Sequence, residues 1–429
     1  MHPNAILDHA AQLLTRVLTF SHPADAVVGR YFRDNRTLGP RERNTIAETV
    51  YAVIRFKARF ELLARSGPGG RERKLAILGF SAPRDFLLGA LKPDEKTWLE
   101  TCEREGEAVM MDIHRHNLPQ WMVPALKSQL GAGFDTLADT LNTPAPLDIR
   151  VNTFKSKREE IQKALKGLGI KAQETPYSPW GLRLEGNPSL AKVKAYEQGA
   201  FEVQDEGSQL LAGILGAKRG EMVADFCAGA GGKTLAIGAM MRSTGRLYAF
   251  DTSAHRLDAL KPRLARSGLS NVQTAAIAHE RDDRIKRLAQ KMDRVLVDAP
   301  CSGTGTIRRN PDLKWRLKEK ELAEITALQS TILRSAAQLV KPGGRLVYAT
   351  CSLLPDENEA IANAFTEGSE DFELMPVAPL LQTVLTPQGG AAEDGDALAL
   401  ELCQGNFLRL WPHLHQTDGF FAAVWQRRM

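Results

Sequence analysis

Asp225-Phe-Cys-Ala-Gly-Ala-Gly-Gly-Lys-Thr234 follows an apolar run ending in Val223-Ala224 and precedes a helical pattern that begins at Leu235. Strand, glycine-rich turn and helix, in that order, are the local plan of a nucleotide-type site. Three ligand geometries compete for this turn. A P-loop needs Gly, four residues, then Gly-Lys-Ser/Thr. Gly232-Lys-Thr234 supplies its end, but the position where its first glycine belongs is Cys227. A dinucleotide fingerprint needs G-x-G-x-x-G, and its third glycine position is Thr234. The third geometry is a doubly wound sheet that binds an adenosine without cradling a pyrophosphate. There the glycines permit close backbone approach, and an acid ending the next strand takes the ribose hydroxyls. Asp251 ends the run Arg246-Leu-Tyr-Ala-Phe250 and suits that role. Spacing alone leaves the choice of ligand open.

The pattern outward from this turn has three parts. Residues 206–429 alternate strand and helix, which predicts a parallel sheet. Its strands are expected at Met222–Phe226, Arg246–Asp251, Val272–Ala278, Arg294–Asp298 and Arg345–Ala349. The clearest helix, Glu319–Val340, should stop at Lys341-Pro-Gly-Gly344. Leu408–Trp411 and Phe420–Trp425 read as a hairpin-type pair at the sheet edge. Residues 145–205 read as a small α/β module, with strands near Leu147–Val151, Ile170–Glu174, Gly181–Leu184 and Phe201–Gln204. Its helix opens on the capping box Ser156-x-x-Glu159. Residues 1–140 read as all-helical, Ile6, Leu7, Ala10, Leu13, Leu14, Val17 and Leu18 recurring at helical spacing.

Composition narrows the function classes. The chain has 429 residues, 43% of them apolar and 25% charged, with a net charge of +5, which suits two or three soluble domains. No apolar run is long enough to span a membrane and the N-terminus lacks a signal pattern, so a cytoplasmic protein is expected. The five cysteines, Cys102, Cys227, Cys301, Cys351 and Cys403, contain no CxxC pair. They form neither a disulfide framework nor a zinc ribbon. His114, His116 and Asp112 read as a turn before Pro119 rather than a metal site, and no metal is expected. Charge is uneven. Residues 1–74 carry 13 Lys and Arg against 7 Asp and Glu, whereas residues 340–429 carry 5 against 12. A basic front end bearing Arg30, Arg33, Arg36, Arg41, Arg43 and Arg55 suits a polyanion partner, although solvated helix faces carry the same signature.

Ligands of open parallel sheets bind beyond the carboxyl ends of the strands. Collecting what lies there brings together the glycine turn, Asp251, the loop His279-Glu-Arg-Asp-Asp-Arg284, Asp298-Ala-Pro-Cys301-Ser-Gly-Thr-Gly305 and Thr350-Cys351-Ser352. Cys227, Cys301 and Cys351 therefore converge on one cleft. A single cysteine is more often a small buried hydrophobe than a nucleophile. Convergence at loop positions favours chemistry. A thiolate that adds to C6 of a pyrimidine makes C5 nucleophilic toward an electrophilic methyl, and a nearby carboxyl such as Asp298 steadies the ring.

These motifs resemble the NOP/Sun family of RNA cytosine-C5 methyltransferases. Arg150-Val-Asn152, Gln204-Asp-Glu-Gly-Ser-Gln209, Arg309-Asn-Pro-Asp-Leu-Lys-Trp315 and Asp418-Gly-Phe-Phe421 support the likeness. It covers residues 145–429, and the helical front is similar to the NusB-like domain of the bacterial ribosomal RNA members. The resemblance implies a Rossmann-like methyltransferase sheet behind a small RNA-recognition module and a helical RNA-binding domain. It implies S-adenosylmethionine at Cys227, Ala228, Gly229, Ala230, Gly231, Gly232 and Lys233, with Asp251 on the ribose and Asp298 alongside. The family's usual Gly-Asp-Ala-Arg after the third strand is replaced by Glu280-Arg-Asp-Asp-Arg284, so Asp282 is the expected adenine-side acid, with Asp283 the alternative. The commoner Cys-Ala-Ala-Pro-Gly-Gly-Lys turn here has Gly229-Ala230 in place of Ala-Pro. By resemblance Cys351 is the nucleophile and Cys301 assists release, with Asp298 and Lys233 completing the catalytic set. Arg308, Arg309 and Arg150 are the expected RNA contacts, with Lys314 and Arg316 nearby. A monomeric enzyme acting on small-subunit ribosomal RNA is expected. Transfer RNA as substrate, a P-loop-like ATPase and a non-catalytic RNA-binding assembly factor are the alternatives.

Overall fold

The computed structural model describes residues 2–386 and 392–429. Chain contacts divide it into two compact units, Met1–Pro144 with Thr306–Glu319, and Ala145–Gly305 with Lys320–Met429.

The first unit is helical. Pro3–Val17 buries Ile6, Leu7, Ala10, Leu13, Leu14 and Val17 along one stripe, the face that a 3.6-residue period produces. Pro3, Pro40 and Pro93 each open a helix, where a missing N–H costs nothing. The unit also recruits a distant segment. The Trp315 indole N–H donates to the Ile54 carbonyl at 2.7 Å. Lys314 Nζ donates to the Arg55 carbonyl at 2.8 Å and to Asn142 Oδ1 at 2.7 Å. Asp312 Oδ2 accepts the Ala24 N–H at 3.2 Å. Lys314 is 1% exposed, and burial pushes its ammonium well below the usual lysine range. The Arg309–Trp315 motif, read as part of the 206–429 domain, thus packs within the helical unit.

The second unit holds two sheets. The small one comprises β1 (Leu147–Val151), β2 (Ala172–Glu174), β3 (Gly181–Leu184) and β4 (Phe201–Val203). They run antiparallel in the order β2-β3-β1-β4. Its helix starts one residue later than the capping box suggests. Arg158–Gly167 is preceded by Lys157, whose N–H donates to Glu160 Oε2 at 3.0 Å. Glu160, not Glu159, therefore closes the reciprocal cap.

The large sheet comprises β5 (Met222–Asp225), β6 (Arg246–Asp251), β7 (Val272–Ala276), β8 (Met292–Asp298), β9 (Val340–Thr350), β10 (Phe372–Met375), β11 (Cys403–Gln404), β12 (Phe407–Leu410) and β13 (Phe420–Arg427). The order is β11-β12-β13-β9-β8-β5-β6-β7, with β10 also paired to β13. β5 to β9 are parallel to one another, and β13 enters antiparallel against β9. Val295, Leu296 and Val297 are fully buried, as a strand covered on both faces requires. Two details differ from the sequence reading. β13 is interior, between β9 and β12, because Phe420–Trp425 is apolar on both faces and needs cover on both. The helix ends at Ala337, and Lys341-Pro-Gly-Gly344 lies inside β9, where the register with β8 slips between Met292 and Arg294.

The small sheet is tied to the large one by polar groups. Glu202 on β4 accepts from Arg263 Nε at 3.0 Å and from Arg266 Nη2 at 2.7 Å. Asn152 Nδ2 donates to the carbonyls of Gly199 and Ser267 at 2.9 and 3.0 Å. Glu206 Oε1 accepts the N–H groups of Tyr177 and Ser178 at 2.5 and 2.6 Å. The short motifs at residues 150–152 and 204–209 are therefore the joinery between the sheets.

Candidate functional site

β5 leads to β6 and β7 on one side, and β8 then returns to the other side of β5. Strand order reverses there, and a crevice opens beyond the strand ends. A cavity of about 580 Å³ occupies it.

The loop after β5 forms one wall. Gly231 sits at φ +82°, where a Cβ would overlap the Leu260 side chain, so only glycine serves. Thr234 Oγ1 donates to Asp225 Oδ2 at 2.7 Å beneath the turn. Burial raises the Asp225 carboxyl to about 7, against the Thr234 hydrogen bond, with the Asp298 charge adding to the rise. Asp251 faces this loop. Its Oδ2 accepts the Gly229 N–H at 2.8 Å and its Oδ1 the Ser253 N–H at 2.7 Å. One N–H per oxygen leaves acceptor capacity on each for a ligand hydroxyl. Phe226, Ile277 and Ile332 supply apolar lining. A glycine-rich turn of small residues, a carboxylate able to take a diol and an apolar slot fit the nucleoside of S-adenosylmethionine.

Lys233 and Asp298 meet across the cavity floor at 2.7 Å. Burial opposes the Lys233 charge, but the Asp298 carboxylate outweighs it and the ammonium is held above its ordinary range. Lys233 Nζ also lies 5.7 Å from the centre of the Phe420 ring, a cation–π distance. Cys301 Sγ and Cys351 Sγ are 3.3 Å apart at the same end of the cavity. The Cys301 thiol is pushed well above its ordinary value by its bond to Cys351, and burial adds to this. Cys227 also rises well above the ordinary thiol range through burial and the Asp225 charge. The Cys351 carbonyl accepts the Gly305 N–H at 2.9 Å, and the Gly305 carbonyl accepts the Gly419 N–H at 2.9 Å. A Cβ on Gly305 would strike the Gly419 backbone, which explains a glycine in each of those two motifs.

Cys227, Ala228, Gly229, Ala230, Gly232, Lys233, Asp251, Asp298, Cys301 and Cys351 thus line one cavity. Gly231 turns the chain behind it. Asp282 requires correction. It caps the helix Asp283–Lys286, accepting the N–H groups of Ala278 and Arg284 at 3.0 and 2.9 Å. Those bonds hold its carboxyl below the usual range. Glu280 lines the cavity instead, while Asp283 pairs with Lys286 at 2.9 Å. What separates Asp282 from Asp251, which also takes one N–H on each oxygen, is its place outside the cavity lining.

The expected RNA contacts also change. Arg150 is 3% exposed and donates through Nε to Gln204 Oε1 at 2.6 Å, bracing a cavity-lining residue. Arg308 is 8% exposed and donates to the Pro144 carbonyl at 3.0 Å within the helical unit. Both are interior groups. Arg309 is half-buried in that unit. Arg30, Arg33, Arg36 and Arg41 are exposed on it, whereas Arg43 and Arg55 are partly buried. Among the described residues no cluster of His, Cys, Asp and Glu could hold a metal ion, and no helix is long and apolar enough to cross a membrane.

Comparison with known proteins identifies a family and a fold. Residues 212–426 match the family described as 16S rRNA methyltransferase RsmB/F. Residues 118–191 match the ferredoxin-like domain of the RsmF/B-like methyltransferases. A probable ribosomal RNA small subunit methyltransferase B of Synechocystis is 33% identical over 72% of this chain and 66% of its own length. Ribosomal RNA small subunit methyltransferase B of Pasteurella multocida is 34% identical over 64% of this chain and 62% of its own. The matched region therefore spans a little under two thirds of these relatives. A crystal structure described as PH0851 superimposes with a TM-score of 0.79 at 25% identity, covering 100% of this chain and 99% of the other.

Proposed function

The chain belongs to the RsmB/F family of 16S rRNA methyltransferases, and from that membership we propose that it methylates C5 of a cytosine in small-subunit ribosomal RNA, using S-adenosylmethionine and a covalent cysteine adduct. The observation that carries this reading is the pair of thiols 3.3 Å apart beside the Lys233–Asp298 pair. S-adenosylmethionine supplies an electrophilic methyl carbon when bound. The protein must make the cytosine nucleophilic. Cys351, as thiolate, adds to C6, and the ring π electrons move toward N3, giving an enamine whose C5 is electron-rich. Asp298, its position fixed by Lys233, accepts from the exocyclic amine, and the Lys233 ammonium paired with it stabilises the charge displaced toward N3. After C5 is methylated its proton leaves to a base, the C6–S bond breaks and the electron pair returns to Cys351. Cys301 is the neighbouring group suited to assist that release. Lys233 held in an ion pair with Asp298 also argues against the P-loop reading, in which the lysine must face phosphate.

The target base must be unstacked to reach the cavity. RNA loops present such bases at low energetic cost. The helical unit, read as NusB-like, offers Arg30, Arg33, Arg36 and Arg41 to the RNA backbone. Bisulfite mapping of small-subunit ribosomal RNA from cells with and without the gene tests the proposal. One cytosine should lose its protection from deamination when the protein is absent. Identical maps of ribosomal RNA, with a difference confined to transfer RNA, would overturn the substrate assignment.

A further inference from the structure

A buried carboxylate outside the cavity ties the two cysteine loops together. Glu357 lies in the turn Pro355–Glu357 after β9 and is 0% exposed. Its Oε1 accepts the Ser302 N–H at 2.8 Å and Gln329 Nε2 at 3.0 Å. Its Oε2 accepts the Ser302 hydroxyl at 2.5 Å and the Ser352 hydroxyl. Gln329 Nε2 also donates to the Pro300 carbonyl at 3.0 Å. Pro300 and Ser302 flank Cys301, and Ser352 follows Cys351. Residues 50 positions apart in sequence are thereby fastened to one carboxylate.

Among the described residues no lysine, arginine or histidine is ion-paired with Glu357. An unpaired buried carboxylate is costly unless hydrogen bonds replace its hydration. Here every side-chain bond comes from the cysteine loops or from the helix that faces them. We propose that Glu357 is a positioning residue for the thiol pair, fixing the two loops at the separation where the sulfurs touch and so setting the handover from attack to release. The handover rests on the methyl-transfer reading above, whereas the fixing of the loops does not. The negative charge of Glu357 also adds to the rise of the Cys301 thiol, after its bond to Cys351 and its burial. The proton is thereby kept on the thiol that is not the nucleophile.

The test uses the full chain with Glu357→Gln, Glu357→Ala and Ser352→Ala. Glutamine keeps one acceptor for the Ser302 N–H, and its amide can donate to the two hydroxyls, so it should preserve the clamp. The first readout needs no RNA. Diamide oxidises the Cys301 and Cys351 thiols to a disulfide, taking up their two protons and two electrons to become the hydrazine. Peptide mass analysis follows the rate. Wild type and Glu357→Gln should agree within about threefold, and Glu357→Ala should be slower by about tenfold or more, since loose loops lose effective molarity. Ser352→Ala should fall between them. The second readout is methyl transfer to a small-subunit ribosomal RNA fragment. Glu357→Ala should lower kcat about tenfold or more with KM for S-adenosylmethionine within about twofold, because the glycine turn and Asp251, which face its nucleoside, make no bond to Glu357. Wild-type disulfide rates in both Glu357→Ala and Ser352→Ala would overturn the proposal. If Glu357→Ala does not fold, Ser352→Ala decides alone. A wild-type chain that crosslinks as expected but transfers no methyl group would sink the methyl-transfer reading and leave the clamp standing.

Discussion

Replacing Asp251 should separate the donor site from everything the RNA does. Its two carboxylate oxygens each accept one backbone N–H, from Gly229 and Ser253, at 2.8 and 2.7 Å. The side chain is held firmly, and the whole residue is 7% exposed. A ribose diol bound there would form two charge-assisted hydrogen bonds, each contributing about 1.5–3 kcal/mol. Asp251→Ala should therefore forfeit about 3 kcal/mol or more, which raises Kd on the order of 100-fold at 1.4 kcal/mol per tenfold. Asp251→Asn keeps one acceptor oxygen but must turn its amide toward one of the two N–H groups. Its loss should be about tenfold at least. The assay is calorimetric titration with S-adenosylhomocysteine in the absence of RNA. The neighbouring acids give the internal comparison. Asp282→Ala should leave Kd within about twofold, since its carboxylate serves the helix cap and not the cavity. Glu280→Ala should weaken binding about fivefold, as expected for one lost polar contact. Binding by Asp251→Ala within about threefold of wild type would refute the ribose assignment. Equal losses for Asp282→Ala and Glu280→Ala would refute the exchange of their roles.

Cys351→Ala should abolish methyl transfer, whereas Cys301→Ala should accumulate a denaturation-resistant protein–RNA adduct, with release slowed about 100-fold or more; turnover by Cys351→Ala at the wild-type rate would reverse the roles. Asp225 makes stability fall with pH. Its folded carboxyl is raised from 3.8 to about 7, so the unfolded chain ionises first. The stabilisation is complete below about pH 4 and is lost as pH rises to about 7, by about 4 kcal/mol at 1.36 kcal/mol per unit. Asp225→Asn should therefore gain on wild type between pH 5 and pH 8 in urea midpoint, and a difference independent of pH would refute the burial argument. Glu202→Ala leaves Arg263 and Arg266 without their shared carboxylate, whose side chain is 4% exposed. Because the arginines reach solvent, the expected loss is about 2–3 kcal/mol, visible as a lower urea midpoint and as faster proteolysis of residues 152–199. An unchanged midpoint would mean that the pair only solvates the joint.

The sequence by itself determined the order of strands and helices in the large sheet, because local periodicity and the glycine turn are properties of contiguous residues. It also determined that Cys227, Cys301, Cys351, Asp251 and Asp298 share one crevice, since strand ends in a parallel sheet all open on the same side. Tertiary structure decided which polar groups are still available once the chain has folded. Asp282 and Glu280 are interchangeable as letters, but only the second lines the cavity, while the first caps a helix. Arg150 and Arg308 look like phosphate ligands until the fold buries them, the first against Gln204 and the second against the Pro144 carbonyl. The motif ending in Trp315 reads as part of the sheet domain, yet it closes the helical unit through contacts more than 250 residues away, such as the one with Ile54. Glu357 is one acid in an ordinary turn until four donors from three segments meet on it. Periodicity reports which face of an element is buried, whereas the assignment of each buried hydrogen bond depends on which distant backbone arrives beside it.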